Sequence, residues 1–115
     1  MIVRWETLAQ ATVVIVEGRL DFGASPGFQQ QLEQALAGAG TPPAAVIIDC
    51  AALDYVSSAG LRVFLLAARE SQRLGIGFAL CALRPAVREV FDLSGFTRVI
   101  AVHPDRPTAL EPPSA

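Results

Sequence analysis

The most informative stretch of the chain covers residues 44–75 and reads AAVIIDCAALDYVSSAGLRVFLLAARESQRLG. Its first part, Ala44–Cys50, is apolar without alternation until Asp49, which is typical of a central strand covered on both faces. Its second part predicts a helix over Ser58–Leu74, because apolar residues recur at helical spacing and Gly75 follows as a stop. A buried strand that leads directly into an amphipathic helix indicates an α/β fold.

Similar elements flank this stretch on both sides. The sequence predicts an opening hairpin, two further helices and two further strands, namely strands at Met1–Glu6 and Ala11–Glu17, a helix from Ser25-Pro26 to about Gly38–Gly40, a strand at Gly77–Leu83, a helix at Pro85–Leu93 and a strand at Arg98–Val102. Because strands and helices alternate, we expect one α/β domain with a mixed, mostly parallel sheet of about five strands and helices packed on it.

The C-terminal residues differ in composition from the rest of the chain. Residues 103–115 contain four prolines. We therefore expect the domain to cover residues 1–102. The remaining residues should form a loosely ordered tail with at most one helical turn near residues 108–111.

Composition excludes several classes of function. The 115 residues include nine arginines and eleven acidic residues but no lysine, for a formal net charge of −2. This charge disfavours binding to nucleic acid or anionic lipid, and the missing lysine excludes a P-loop and a Schiff-base mechanism. Apolar runs such as residues 11–16 and 63–68 are much shorter than the roughly 18 residues that cross a bilayer, so membrane insertion is not expected. Since residues 4–6 interrupt any export signal, the sequence predicts a cytoplasmic protein.

The chain has two cysteines and one histidine, which limits redox and metal chemistry. Cys50 and Cys81 lie in apolar stretches and are expected to be buried thiols in a reducing compartment. Together with His103 they do not form a metal-binding pattern. We expect neither a metal nor a cofactor.

The candidate functional site is the segment DYVSSAGL, Asp54–Leu61, between the central strand and its helix. Ligands of open α/β sheets bind at the carboxyl ends of the strands. Ser57 or Ser58 can accept a hydrogen bond from the first free amides of the helix, whose dipole favours an anion such as phosphate. The alternative is that one serine is only an N-cap, worth about 1 kcal/mol. A catalytic serine needs a base, and the only histidine is His103 near the tail, so we expect no catalytic residue and no enzymatic activity.

Three blocks of sequence occur in an order that resembles a known family. They are VEGRLD at residues 16–21, IIDC followed by DYVSSAGLR at residues 47–62, and CALRPAVREVFDLSGF at residues 81–96. Over residues 13–102 the chain resembles the STAS domain, and specifically the small bacterial anti-sigma factor antagonists. Where the best-known members have the motif DSSG, this chain has Ser57-Ser58-Ala59-Gly60.

The resemblance implies a function and a set of site residues. In the family, the serine two positions before the glycine is phosphorylated by a partner kinase that is also an anti-sigma factor; here that serine is Ser58. The unphosphorylated antagonist binds the partner and so releases the sigma factor, and a cognate phosphatase reverses the modification. The residues expected to bind the partner are Asp21, Ser57, Ser58, Ala59, Gly60 and Arg62.

Some alternatives stay open on the sequence alone. Asp21 matches a loop aspartate of the family, but an aspartate in a turn before Gly23 can also serve only local hydrogen bonding. The protein could instead be a STAS scaffold subunit of a membrane assembly such as a phospholipid transporter. Whether the chain forms a homodimer is not decided by any residue.

Overall fold

The computed structural model describes residues 1–40 and 44–111. In chain order these residues form strand β1 (Ile2–Thr7), strand β2 (Thr12–Leu20), helix α1 (Ser25–Ala37), strand β3 (Ala45–Val56), helix α2 (Ser58–Leu74), strand β4 (Gly77–Cys81), helix α3 (Pro85–Leu93), a 3-10 turn (Phe96–Arg98), strand β5 (Ala101–His103) and helix α4 (Arg106–Leu110). Residues 41–43, where the sequence Thr-Pro-Pro predicts a break between α1 and β3, lie outside the described part of the chain.

The strands form one mixed sheet in which spatial order equals chain order, β1-β2-β3-β4-β5. β1 pairs antiparallel with β2, whereas β2–β3, β3–β4 and β4–β5 are parallel pairs. Parallel neighbours need crossover connections, and α1, α2 and α3 provide them. The predicted fold class, an α/β domain with a mostly parallel five-stranded sheet, is confirmed.

β3 lies at the centre of the sheet, and the side chains of its first half are buried on both faces. On the helix-covered face, Val46, Ile48 and Cys50 belong to the large core. On the opposite face, Ile47 packs with Val13 in a smaller apolar cluster. Successive side chains of a strand point to opposite faces, so an uninterrupted apolar run is what a doubly covered strand requires. The prediction of a central strand is confirmed.

A row of three phenylalanines joins the three longer helices in the core. Phe64 of α2 lies between Phe28 of α1 and Phe91 of α3, with ring centroids 5.3 and 5.2 Å apart in edge-to-face geometry. All three rings are at most 1% exposed. Edge-to-face pairs of this kind add to the energy of burial. The row therefore fixes how α1, α2 and α3 sit on the sheet.

Several predicted bounds are confirmed and others are wrong. The helices over Ser58–Leu74 and Pro85–Leu93 are found with those bounds. β3, however, continues beyond Cys50 to Val56, because β2 stays paired with it through two register shifts. β4 ends at Cys81, not Leu83, since Ala82 adopts a positive φ of 60° that breaks the extended backbone.

The last strand also differs from its prediction. Residues 98–102 were expected to be extended, but Arg98 closes a 3-10 turn and β5 covers only Ala101–His103. The turn forms because Gly95 adopts a left-handed φ of 75°. Beyond β5, helix α4 begins after the cap Asp105 and overlaps the expected helical turn. A domain boundary at residue 102 and a loosely ordered tail stay predictions, and residues 112–115 lie outside the described part.

Both cysteines are buried free thiols, as predicted. Cys50 belongs to the core beneath the helices, and Cys81 to the cluster on the other sheet face. Burial raises the pKa of the Cys50 thiol well above its usual range. Burial, followed by the nearby Asp49 carboxylate, raises the pKa of Cys81 to about 11. Because the thiolate is the reactive form, these shifts disfavour reaction of either cysteine at neutral pH.

Candidate functional site

The candidate site lies where β2 and β3 end side by side. Leu20 and Val56 are register partners in this parallel pair. Just beyond them, the backbone N–H of Ser57 donates to the carbonyl oxygen of Leu20 at 2.9 Å. Asp21 follows Leu20, and Ser58 follows Ser57, so the fold brings these two predicted site residues to the same end of the sheet. This is the carboxyl end, where open α/β sheets bind their ligands.

The two neighbouring serines have different surroundings. The Oγ of Ser57 accepts a hydrogen bond from the backbone N–H of Gly60 at 3.1 Å, and its ψ of 170° is the extended conformation of an N-cap. Ser58 is the first residue of α2 and is exposed. Within residues 1–40 and 44–111, the Ser58 hydroxyl has no hydrogen-bond partner. Ser57 is thus the cap, and Ser58 is an exposed residue whose hydroxyl is not the cap.

Gly60 allows the start of α2 to approach β2 closely. A Cβ atom at this position would lie 2.7 Å from Cγ of Leu20 and 3.0 Å from Cγ2 of Val56. Distances this short require the backbone or the neighbours to shift. Gly60 is buried and Ala59 is half-buried. The role of Gly60 that the structure shows is therefore close packing. Its predicted contact with a partner stays a prediction.

Asp21 begins the turn that leads from β2 into α1. Its Oδ1 accepts a hydrogen bond from the backbone N–H of Ala24 at 2.9 Å, and its carbonyl oxygen accepts one from the Oγ of Ser25 at 2.7 Å. Local hydrogen bonding is therefore one function of Asp21, while its side chain stays exposed beside the α2 start. A serine before Pro26 is a typical N-cap in the sequence, but Ala24 is the N-cap of α1, and the Ser25 hydroxyl bonds backward to the turn.

An arginine from the start of α3 belongs to the same end of the sheet. Nε of Arg84 donates to the carbonyl oxygen of Ala51 at 2.8 Å, and its guanidinium forms an ion pair with Asp54 of β3. Both side chains are half exposed. The sequence did not mark Arg84 as a site residue, because nothing local indicates that α3 begins beside β3. Its position just before the helix-opening Pro85 was the one available signal.

Two exposed aromatic residues in the segments that end at the site were also missed. Phe22, next to Asp21, is 81% exposed, and Tyr55 of β3 is 39% exposed. The guanidinium of Arg19 lies 4.2 Å from the centroid of the Tyr55 ring, a cation–π contact. An isolated phenylalanine outside any periodic apolar pattern was the signal that could have identified Phe22. Phe22 follows Asp21 directly and Tyr55 precedes Val56, so both belong to segments that meet at this end of the sheet.

Arg62 is exposed on the first turns of α2, four residues after Ser58. It forms no ion pair within the described residues. In the same part of the chain, no three His, Cys, Asp or Glu side chains are grouped as metal ligands would be. Nor does any helix described here have the length and apolarity needed to cross a bilayer.

Comparison with known proteins identifies the class. A family model of the STAS domain matches residues 3–109, and the chain belongs to this family. The predicted family is confirmed, and the match continues past residue 102 into α4.

Two curated relatives carry regulatory names. The chain is 47% identical over 64 residues to the provisionally named anti-sigma factor antagonist BtrV of Bordetella bronchiseptica, a match that covers 56% of this chain and 55% of that protein. It thus spans little more than half the length of BtrV. It is 30% identical over 103 residues to a provisionally named anti-anti-sigma factor of Mycobacterium tuberculosis, covering 87% of this chain and 67% of that protein.

Solved structures share the fold. An anti-sigma factor antagonist from Mycobacterium paratuberculosis superimposes with a TM-score of 0.84 at 27% identity, over 95% of this chain and 90% of that one. The Bacillus cell fate determinant SpoIIAA in its phosphorylated form gives 0.71 at 22% identity, over 95% and 96%. The murine anion transporter Slc26a9 gives 0.77 at 18% identity, over 91% of this chain and 18% of that one. The last two likenesses show the fold alone.

Proposed function

We propose that this protein is a phosphorylation-switched anti-sigma factor antagonist that acts in the cytoplasm. Its partner is an anti-sigma factor with serine kinase activity, which it binds through the surface around Ser58. The observation that carries the proposal is that Ser58 is exposed at the start of α2 and that its hydroxyl is not the N-cap, because Ser57 caps the helix. The names of the relatives support the same class of function.

In this proposal the protein is the substrate of a phosphoryl transfer and not an enzyme. The Ser58 Oγ attacks the γ-phosphorus of ATP, the bond from that phosphorus to the bridging oxygen of ADP breaks, and the hydroxyl proton passes to a base of the kinase. A base must lie within about 3.2 Å of the oxygen whose proton it takes. His103 is on β5, and β5 lies two strands from β3, a separation on the order of 10 Å by strand spacing. In this proposal the base therefore belongs to the kinase.

Phosphorylation has opposite effects on the fold and on the complex. A phosphate at the start of a helix interacts favourably with the free N–H groups and the helix dipole, so the fold is retained. In a closed interface the same phosphate adds about −1.5 to −2 charges beside the carboxylates of Asp21 and Asp54. The partner complex therefore dissociates, and a cognate phosphatase restores binding.

Phe22 supplies an apolar anchor to the proposed partner surface. It is 81% exposed, and its backbone belongs to a turn held by the two hydrogen bonds of Asp21. Burying an aromatic side chain in a partner's pocket is a common source of binding energy at interfaces. The turn adjoins Leu20, whose carbonyl oxygen accepts a hydrogen bond from Ser57. A partner that receives Phe22 in a pocket is therefore held over Ser58.

The experiment that tests the function incubates the protein with its kinase and ATP and locates the phosphate by peptide mass spectrometry. We expect one phosphate on Ser58, none in Ser58→Ala, and unchanged labelling in Ser57→Ala once folding is confirmed by circular dichroism. Labelling that survives in Ser58→Ala but vanishes in Ser57→Ala would contradict the assignment. No labelling and no complex with any anti-sigma kinase would favour the scaffold alternative instead.

A matched pair of variants tests the docking surface. Phe22 is 81% exposed at the site and Leu93 is 82% exposed at the end of α3, so truncation of either costs the fold little. We expect Phe22→Ala to weaken kinase binding by about fivefold to thirtyfold in calorimetric titration, and Leu93→Ala to leave it unchanged. Equal affinities for the two variants would remove Phe22 from the interface without touching the assignment of Ser58.

A further inference from the structure

Arg62 follows Ser58 by one turn of α2, and both residues are exposed. Residues four apart on a helix are neighbours on its surface. Helical side chains also lean toward the helix N-terminus, so the side chain of Arg62 extends toward the first turn. A negative group N-terminal to a basic group at this spacing is the favourable orientation for a helical ion pair.

Arg62 has no acidic neighbour of its own on α2. The positions three and four residues away hold Ala59, Leu65 and Leu66 besides Ser58. Two other helical arginines, unlike Arg62, reach an acid one turn away: Arg73 pairs with Glu70, and Arg88 with Asp92 at 3.6 Å. Arg62 lacks such a pair in the part of the chain that the structure describes.

We infer that Arg62 binds the phosphate of phosphorylated Ser58 within the same chain and is thereby withdrawn from the partner surface. The inference rests on the proposed function and adds a mechanism to it. Phosphorylation then acts twice, because it introduces negative charge at the interface and also occupies a cation that the unphosphorylated protein offers to its partner. No covalent step beyond the phosphorylation is needed.

Other charged groups at this end of the sheet are already engaged or have the wrong sign. Asp54 holds the guanidinium of Arg84, and Arg19 stacks on Tyr55. Asp21, in the turn after β2, is negative and would repel a phosphate. Arg62 is therefore the group whose position, charge and lack of a described partner suit the phosphate on Ser58.

The test uses full-length protein carrying phosphoserine at position 58, incorporated during translation so that no kinase is needed. The pH titration of the phosphate, followed by phosphorus NMR, reports its second pKa, which is about 6 for free phosphoserine. Arg62 stabilises the dianion, so we expect this pKa to be lower in the otherwise wild-type protein than in Arg62→Gln by about 0.3 unit or more.

Arg69→Gln is the matched control, because Arg69 is an exposed arginine of the same helix. It lies eleven residues after Ser58, about 16 Å along the helix axis. We expect the second pKa of the phosphate in Arg69→Gln to equal that in the otherwise wild-type protein. Equal values in wild type and Arg62→Gln, or an equal shift in both variants, would overturn the inference.

A binding measurement tests the withdrawal of Arg62 from the partner. We expect Arg62→Gln to weaken kinase binding of the unphosphorylated chain by about fivefold, and to change the affinity of the phosphorylated chain by less than about twofold. Equal losses in both forms would refute the withdrawal. If unphosphorylated wild type does not bind the kinase, the proposed function fails, and so does the withdrawal, while the NMR titration still decides the contact between Arg62 and phosphate.

Discussion

The starts of α2 and α4 have the same kind of cap but different contacts. At each start the N-cap side chain accepts a hydrogen bond from the backbone N–H three residues later. Ser57 Oγ accepts from Gly60 at 3.1 Å, and Asp105 Oδ1 accepts from Thr108 at 2.9 Å. The cap thus organises the backbone in the same way at both places. The difference lies in the residue that follows the cap.

At α4 that residue is Arg106, whose guanidinium is engaged on two sides. It donates to Oδ2 of Asp49 from Nη2 at 2.8 Å and from Nε at 3.1 Å, and to Oε2 of Glu6 at 2.7 Å. At α2 the corresponding residue is Ser58, which is exposed and has no side-chain hydrogen bond within the described residues. Two helix starts with the same kind of cap therefore differ in whether the next side chain is engaged or exposed.

The largest expected effect is on binding, at the α2 start. Ser58→Asp should weaken binding to the kinase by at least about thirtyfold, because a charge without a partner in an interface costs roughly 2 kcal/mol or more. The melting temperature should change little, since a carboxylate at this position interacts favourably with the helix dipole by about 0.3 to 1 kcal/mol. Calorimetric titration and a melting curve measure both. Unchanged affinity, or a collapsed melting temperature, would make Ser58 a structural residue.

The next effect is on stability and tests how closely α2 approaches β2. Gly60→Ala should lower the free energy of unfolding by about 1 to 3 kcal/mol, because its Cβ would lie 2.7 Å from Leu20. Gly27 occupies the same third position of α1, and nothing lies within 4 Å of its Cβ direction. Gly27→Ala should therefore be neutral, or stabilising by up to about 1 kcal/mol. Urea denaturation of both variants checks this, and equal losses would contradict it.

At the α4 start, removal of the charge should destabilise the fold. The Asp49 side chain is only 14% exposed, so Arg106→Gln leaves a carboxylate with little water and should cost about 1 to 2 kcal/mol. Arg4→Gln is the control, because the Arg4–Glu17 pair is largely exposed and is worth about 0 to 0.5 kcal/mol. Thermal unfolding at low and high salt measures both losses. A loss at Arg106 no larger than that at Arg4 would refute the structural role of the α4 start.

The smallest expected effect separates the two serines. Ser57→Ala removes the cap of α2 and should lower the free energy of unfolding by about 1 kcal/mol, whereas Ser58→Ala should change it by less than about 0.5 kcal/mol. Chemical denaturation of the two single variants makes the comparison directly. If Ser58→Ala were the more destabilising, the cap would have been assigned to the wrong serine.

Much of this architecture could be predicted from the sequence because its signals are local. The helix over Ser58–Leu74 follows from apolar periodicity and a terminal glycine, and the central strand follows from its uninterrupted apolar run. Strand ends were less predictable. Val56 stays in β3 because β2 continues to pair with it, and no residue near Cys50 reports that pairing.

At the site, the sequence by itself determined that a serine begins α2 and that a glycine follows it in the first turn. Only the tertiary structure decided which serine is the cap, since that depends on backbone geometry fixed by the bond from Ser57 to Leu20. Only the tertiary structure brought Arg84 to Asp54 and left Phe22 exposed in the turn after β2. The physical reason is range: periodicity and capping act within a few residues, whereas the neighbours of a side chain at a sheet end come from separate strands and helices.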